Sequence, residues 1–294
     1  MRLLQLLLSS ALLAVVVLPA SAQKRGIDPG LLNKANSGDA QAQFAIGQAY
    51  AGGIAVVQDY TQAASWLQKA ADHGLAEAQD QLGTLYQAGN GVQQDDGKAA
   101  TWYRRAADQG LASAQLHIGL LYNAGTGVPQ DYTQAAAWYH KAALQGLPEA
   151  LYNLGTFFER GVGVPQDYTQ AADLYRRAAE KGDAAAQFNL GILYDNGTGV
   201  NKDYAQAAAW YRKAADQGLP RAQYNLGSMY ANGQGVPVNL VESYVWLDLA
   251  SKTWSGSRQE EAVHARDLVA QHLSADDLAA AQQRSQKWLA DHQK

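Results

Sequence analysis

The chain has 294 residues, with 23 basic and 27 acidic side chains for a formal net charge of -4, and no cysteine. Without cysteine it cannot rest on a disulfide framework. Mild acidity without any cluster of Lys and Arg argues against phosphate-backbone binding, so no nucleic-acid partner is expected.

Met1-Arg2 supplies a positive start, Leu3 to Leu18 an apolar stretch without charge, and Ala20-Ser21-Ala22 a small-residue cleavage pattern. Together they predict a secretory signal peptide over 1–22, cut after Ala22. An uncleaved anchor is the weaker reading because the run is short for a membrane span. No cysteine follows the cleavage site, which excludes the lipoprotein route, and no second apolar run is long enough to span a bilayer. The mature chain is therefore expected in the periplasm or outside the cell, without membrane insertion. Residues 23–38 read as an N-terminal cap, with Leu31 to Gly38 as the tail of a second helix, since Gly38 precedes Gly74 by 36 residues.

From 39 to 251 the chain repeats. Ile46-Gly47, Leu82-Gly83, Ile118-Gly119, Leu154-Gly155, Leu190-Gly191 and Leu226-Gly227 fall 36 residues apart, and no copy gains or loses a residue. Six copies of one supersecondary unit are the expectation. The same phase carries Tyr50, Tyr86, Tyr122, Phe158, Tyr194 and Tyr230, and also Trp66, Trp102, Trp138, Leu174, Trp210 and Trp246.

Each copy reads as two helices and a loop. In the fourth, Ala150, Leu151, Leu154 and Phe158 recur at helical spacing and mark one buried face. The spacing predicts a polar start such as Asp-Ala for this first helix. Gly155 inside it costs about 1 kcal/mol against Ala in intrinsic propensity, which calls for close approach of a neighbouring helix. Gly161-Val162-Gly163-Val164-Pro165-Gln166 then forms the loop, with its valine turned under. The first copy departs here with Gly52-Gly53-Ile54-Ala55-Val56-Val57.

The second helix opens at Asp167-Tyr168-Thr169-Gln170, a capping-box pattern repeated at Asp59/Gln62, Asp131/Gln134 and Asp203/Gln206. Copy two (Asp95, Lys98) and copy six (Asn239, Glu242) lack the Gln, and their helix starts are expected to fray more. Ala135, Ala136, Trp138, Tyr139, Ala142 and Ala143 form a small-and-large packing face. One hairpin cannot bury that face alone, whereas stacked hairpins can. Residues 252–294 read as a C-terminal helical cap, with helices over Arg258–His272 and Ser274–His292 and Val263, Leu268, Leu278, Trp288 and Leu289 as buried contacts.

Ala222-Gln223-Tyr224-Asn225-Leu226-Gly227, Tyr230, Gly233-Gln234-Gly235-Val236-Pro237, the Asp131-Tyr132 start and Trp138-Tyr139-His140-Lys141-Ala142-Ala143 resemble the Sel1-like repeat, a relative of the tetratricopeptide repeat. The resemblance spans about Asp39 to Ala250. It implies an all-α, α/α superhelical solenoid whose first helices line a concave surface, and a function as an adaptor that binds other proteins.

The residues offer little catalytic chemistry. The six histidines (73, 117, 140, 264, 272 and 292) show no metal-ligand spacing, and Glu261 with His264 reads as a solvated ion pair. No G-x-S-x-G elbow occurs, and Gly125-Thr126-Gly127 and Gly197-Thr198-Gly199 are turns between helices, without the Lys-Ser of a phosphate loop. No cofactor, metal or catalytic residue is expected. Cysteine-rich members of the resembled family are linked with β-lactam binding and hydrolysis. This chain lacks their disulfides. Ser21-Ala22-Gln23-Lys24 has S-x-x-K spacing but straddles the cleavage site, and Lys252-Thr253-Trp254 fails at the required glycine.

Opposite the core stripe lies a face that varies between copies: Phe44/Gln48/Ala51, Asp80/Thr84/Gln87, Leu116/Leu120/Asn123, Tyr152/Thr156/Glu159, Phe188/Ile192/Asp195 and Tyr224/Ser228/Ala231. Tyr152, Phe188 and Tyr224, with Asn153, Asn189 and Asn225 beside them, form the candidate partner-binding row. The competing reading of the asparagines is that they tie adjacent repeats together. The expected function is an exported scaffold holding a protein or peptide on the concave face. A β-lactam-directed enzyme and a cell-wall or glycan-binding module, with its cell-wall contact, are the alternatives.

Overall fold

The computed structural model describes residues 26–292. The predicted signal peptide, its cleavage site and the Ser21–Lys24 spacing lie outside the described residues. Every described element is helical. The chain divides into two compact units, residues 1–94 and 95–294.

The described part of the first unit holds α1 (Pro29–Asn36), α2 (Ala40–Gly52), α3 (Tyr60–Asp72) and α4 (Ala76–Ala88). Helix α1 packs on α2, burying Ala35 against Ala42 and Ile46. The departing loop keeps an ordinary route: Gly53 caps α2 in the left-handed region and Ala55 takes φ 62°, the one positive φ outside glycine among the described residues. In later copies the equivalent residue is glycine. At Gly163 (φ 69°) an added Cβ would lie 2.3 Å from the Tyr132 carbonyl oxygen, in the first turn of the preceding second helix. Helix α1 begins at Pro29, and the Ala55 carbonyl accepts from Gly26 N at 3.0 Å.

The second unit contains α5 (Asp96–Asp108), α6 (Ala112–Ala124), α7 (Tyr132–Leu144), α8 (Pro148–Arg160), α9 (Tyr168–Glu180), α10 (Ala184–Asn196), α11 (Tyr204–Asp216), α12 (Pro220–Asn232), α13 (Leu240–Thr253), α14 (Ser257–Ala270) and α15 (Ala275–His292). From α5 to α14 each helix packs on its sequence neighbour, and α15 returns onto α13. Ala135, Ala136, Tyr139, Ala142 and Ala143 are buried as the small-and-large pattern predicts, and Val162 and Val164 pack beneath the loop. Each fully buried tyrosine, Tyr139, Tyr175 or Tyr211, contributes about 2–3 kcal/mol by leaving water. In the first-helix stripe Phe157 is the deeper residue, edge-on to Tyr139 at 5.3 Å, while Phe158 is only half-buried.

The helix starts differ from expectation. Leu75, Leu111, Leu147 and Leu219 occupy first-helix N-caps without a side-chain cap bond, and only Asp39 and Asp183 supply one. The first helices are tied instead by a glutamine: the Nε2 groups of Gln43, Gln79, Gln115, Gln187 and Gln223 donate to the carbonyls of Ala35, Ala71, Ala107, Ala179 and Ala215 at 3.0–3.2 Å.

At the second helices the aspartate caps hold, but the capping box is only half made. The backbone N–H that a box glutamine would accept is already donated to the first-helix aromatic carbonyl, as in Asp167 N to Phe158 O (2.9 Å). Gln170 donates to the Asp167 carboxylate instead. Asp95 and Asn239 accept from Lys98 and Glu242 at 2.9 and 3.0 Å, the same cap bond as elsewhere.

In the C-terminal cap, Ala262 and Val269 are buried, whereas Leu268 is 48% exposed. Those adjacent residues stand about 100° apart on the helix, and Val269 takes the inward direction assigned to Leu268. Val263, Leu278, Trp288 and Leu289 are half-buried. The carboxylate of Asp248, 3% exposed, gathers the cap by accepting from Lys252 (2.6 Å), Arg266 (3.2 Å) and Ser285 (2.5 Å).

Candidate interaction surface on the first helices

The predicted row sits at matching positions of α8, α10 and α12, whose phase is set by the buried Leu154, Leu190 and Leu226. Tyr152, Phe188 and Tyr224 are half-buried. Each lays its ring against an aromatic of its own chain: Tyr152 on Tyr175 at 5.8 Å and 38°, Phe188 on Tyr211 at 5.7 Å and 41°, Tyr224 on Trp254 at 5.6 Å and 42°. Tilted pairs at this separation are favourable contacts, so these rings are pre-oriented by the scaffold. Tyr224 also donates its hydroxyl to Glu261 at 3.2 Å.

The row does not extend along every first helix. Asp80 and Leu116, at the same position in copies two and three, are buried. The asparagines divide. Asn189 lies beside the Tyr175 and Tyr152 phenols and Asn225 beside that of Tyr211, each offsetting part of the rise that burial imposes, so both face the preceding repeat. Asn153 makes no side-chain hydrogen bond among the described residues and is half-buried on α8.

Carboxylates surround this row, and the varying face signals two of them, Glu159 and Asp195. Tyr175 donates to Glu159 at 2.5 Å and Tyr211 to Asp195 at 3.4 Å. Burial pushes the phenols of Tyr139, Tyr175 and Tyr211 far above their ordinary range, and the Glu159 carboxylate adds to this at Tyr175. These hydroxyls stay protonated, and those of Tyr175 and Tyr211 serve as donors. Glu149 and Asp183 are not singled out by spacing. Burial raises both carboxyls above their ordinary values; His117 opposes this at Glu149, Asp183 reinforces it there, and backbone N–H groups of Ala186 and Ala185 oppose it at Asp183. The surface thus pairs aromatic rings with poorly compensated negative charge. Among the described residues no group of three or more His, Asp or Glu is placed to hold a metal ion, and no helix is long and apolar enough to cross a membrane.

Comparison with known proteins agrees with this architecture. The family described as Sel1 repeat matches residues 40–75, 76–111, 112–147, 148–183, 184–219 and 220–252. A crystal structure of a Sel1 repeat protein from Oxalobacter formigenes is similar with a TM-score of 0.70 and 34% identity, over 76% of this chain and 92% of that one. A protective antigen of uropathogenic Escherichia coli displaying an SLR fold, c5321, shares 27% identity over 89% of this chain and 86% of its own, with a TM-score of 0.45. No match was found among curated proteins. Six matched repeats and the all-helical stacked hairpins place the chain in the Sel1 repeat family, whose solenoids generally serve as protein–protein interaction scaffolds.

Proposed function

We propose that this chain is an exported, non-enzymatic scaffold that holds an extended polypeptide segment along the first-helix side of its solenoid, the concave face expected for the family. The observation that carries the reading is the row of half-exposed, pre-oriented rings Tyr152, Phe188 and Tyr224 on α8, α10 and α12, 36 residues apart and flanked by Glu149, Glu159, Asp183 and Asp195. Rings held by their own scaffold lose little freedom on binding, which favours them as anchors. The carboxylates select a segment with basic side chains, since an incoming cation relieves charge that burial disfavours. Asn153 supports the partner's backbone, while Asn189 and Asn225 keep the repeats in register.

The test uses the triple variant Tyr152→Ala, Phe188→Ala, Tyr224→Ala, with partners identified by mass spectrometry of periplasmic captures. Loss of about thirtyfold in affinity or more is expected, because truncating a true anchor costs about 2 kcal/mol. Unchanged affinity in a variant with native helical circular dichroism places the binding surface elsewhere.

A further inference from the structure

Four side chains form a recurring junction between consecutive second helices. Arg104 on α5 donates to the Tyr122 hydroxyl at 3.0 Å, pairs with Asp108 at 3.5 Å and lies 5.3 Å above the ring of Trp138 on α7, which is 3% exposed. Arg212 repeats this with the Tyr230 hydroxyl and with Trp246, at 5.5 Å from a ring 5% exposed. An indole therefore fills the groove between two second helices, beneath a guanidinium. One junction changes all four positions together: Arg, acid, Tyr and Trp become His140, Leu144, Phe158 and Leu174.

The consequence is a cleft of about 330 Å³ between α7, α8 and α9, lined by His140, Leu144, Leu154, Phe158, Leu174 and Arg177 among others. Leu144, Leu154, Phe158 and Leu174 supply its apolar wall where the Arg104 junction carries an ion pair and a phenol, while Thr169, Gln170 and Asp173 line the rest, Asp173 pairing with Arg177 at 3.9 Å. Leu144, at a position that is Asp108, Glu180 or Asp216 in other copies, stands 69% exposed on its rim. One cation remains. Lys141 and Lys213 lie 3.7 and 3.8 Å from the ring centroids of Trp138 and Trp210 three residues before them, and Arg177 holds that position beside Leu174, where its own copy has no indole. Its guanidinium is fixed at the cleft by a bond from Nη2 to the Ala143 carbonyl (3.3 Å), the carbonyl that a glutamine claims in the other copies but that Leu151 cannot.

We infer that this cleft is a docking site for an aromatic side chain, tryptophan foremost, presented by a polypeptide partner. The scaffold supplies its own indole at the other junctions, so the shape and the overlying cation that suit an aromatic ring are already built here. Electrostatic complementarity comes from Arg177 over the π-face and from the edge of Phe158. A polypeptide rather than a free small molecule is indicated by Leu144, which extends the apolar contact outside the cleft where residues flanking the aromatic would lie. The site involves α7, α9 and the side of α8 away from Tyr152, so it is independent of the first-helix row.

The test is titration of the full mature chain with the capped tripeptide Gly-Trp-Gly, followed by methyl NMR, with capped Gly-Leu-Gly and free indole in parallel. Shifts at Leu144, Leu154 and Leu174 with the tryptophan peptide, weaker binding of free indole and none of the leucine peptide are expected. Leu174→Trp, which restores the residue used in the other copies, fills the cleft and should weaken binding by about tenfold. Leu144→Asp, an exposed change to the residue type of other copies, should weaken it about threefold and guards against a packing failure of the first variant. The Tyr152, Phe188, Tyr224 alanine variant should bind the peptide as the native chain does, which separates this site from the first-helix surface. Binding unaffected by both cleft variants, or shifts centred elsewhere, overturns the assignment. Free indole binding as tightly as the peptide reassigns the cleft to a small aromatic ligand, and self-association lost in Leu174→Trp reassigns it to a second copy.

Discussion

The ring of Tyr175 occupies the space that Gly155 leaves open: a Cβ on Gly155 would stand 2.8 Å from Tyr175 Cε1 and 2.9 Å from Cδ1. Gly119 with Tyr139 (2.8 Å) and Gly191 with Tyr211 (2.6 Å) repeat the relationship. The tyrosine is fully buried and cannot step aside, so Gly155→Leu is expected to cost about 3 kcal/mol or more through overpacking. Asp131→Ala removes one cap bond, to Gln134 N at 3.0 Å, and should cost about 1 kcal/mol. Urea denaturation of both variants checks the order, and a cap variant more damaged than the glycine variant contradicts it.

Glu149 and Asp183 hold their protons more tightly in the folded chain than their ordinary values of 4.5 and 3.8. A carboxyl raised in this way favours the folded state while protonated, and that contribution is lost as pH rises through the folded value. Combining Glu149→Gln with Asp183→Asn removes the loss, and an asparagine in place of the Asp183 cap still accepts from the first turn of α10. Thermal melts should show the double variant more stable than the native chain at pH 7, with the gap closing as pH falls towards 4. A gap that widens on acidification contradicts the sign.

Asp248 is the buried anchor of the C-terminal cap. Asp248→Ala leaves Lys252, Arg266 and Ser285 without their shared acceptor and should cost about 3 kcal/mol. Because α14 and α15 both pack on α13, limited proteolysis should cut first within 254–292. Unchanged protection of that segment would show that apolar packing alone retains the cap.

The proposed export and the proposed non-enzymatic role are checked together on protein recovered from the periplasm or medium. Its N-terminal sequence should begin Gln23-Lys24. The same material is expected not to hydrolyse nitrocefin, since the sequence carries no motif of an activated nucleophile. A sequence starting at Met1, or turnover abolished by a single substitution, reverses the respective reading.

The repeat length, the helix pairs, the aspartate caps and the packing glycine are all legible in the sequence because each is local and recurs in fixed phase. What escapes is settled by groups distant in sequence. The capping box is incomplete because the loop returns a carbonyl nine residues back to the N–H at Asp167. Leu147 serves as an N-cap without a side-chain bond, a choice that spacing alone does not reveal. Periodicity resolves a helix face more finely than it resolves neighbouring residues, and so it favours Leu268 over Val269 and Phe158 over Phe157. At the interaction surface the aromatic row is readable, whereas the placement of Asn189 and Asn225 beside the tyrosines of the preceding repeat depends on where those rings end.

The glutamine ties give the array a direction. Gln187 and Gln223 each reach a carbonyl at the end of the preceding second helix, and the second glycine of each loop leans on the start of that same helix. Removing the last repeat therefore strips a carbonyl of its donor but leaves every earlier first helix moored, while removing the first deprives its successor of both supports. Growth by whole 36-residue additions is accordingly less disruptive at the trailing edge, ahead of the cap gathered by Asp248, than at the leading one. Synthesis from the N-terminus would present each new repeat with a finished surface on which to settle.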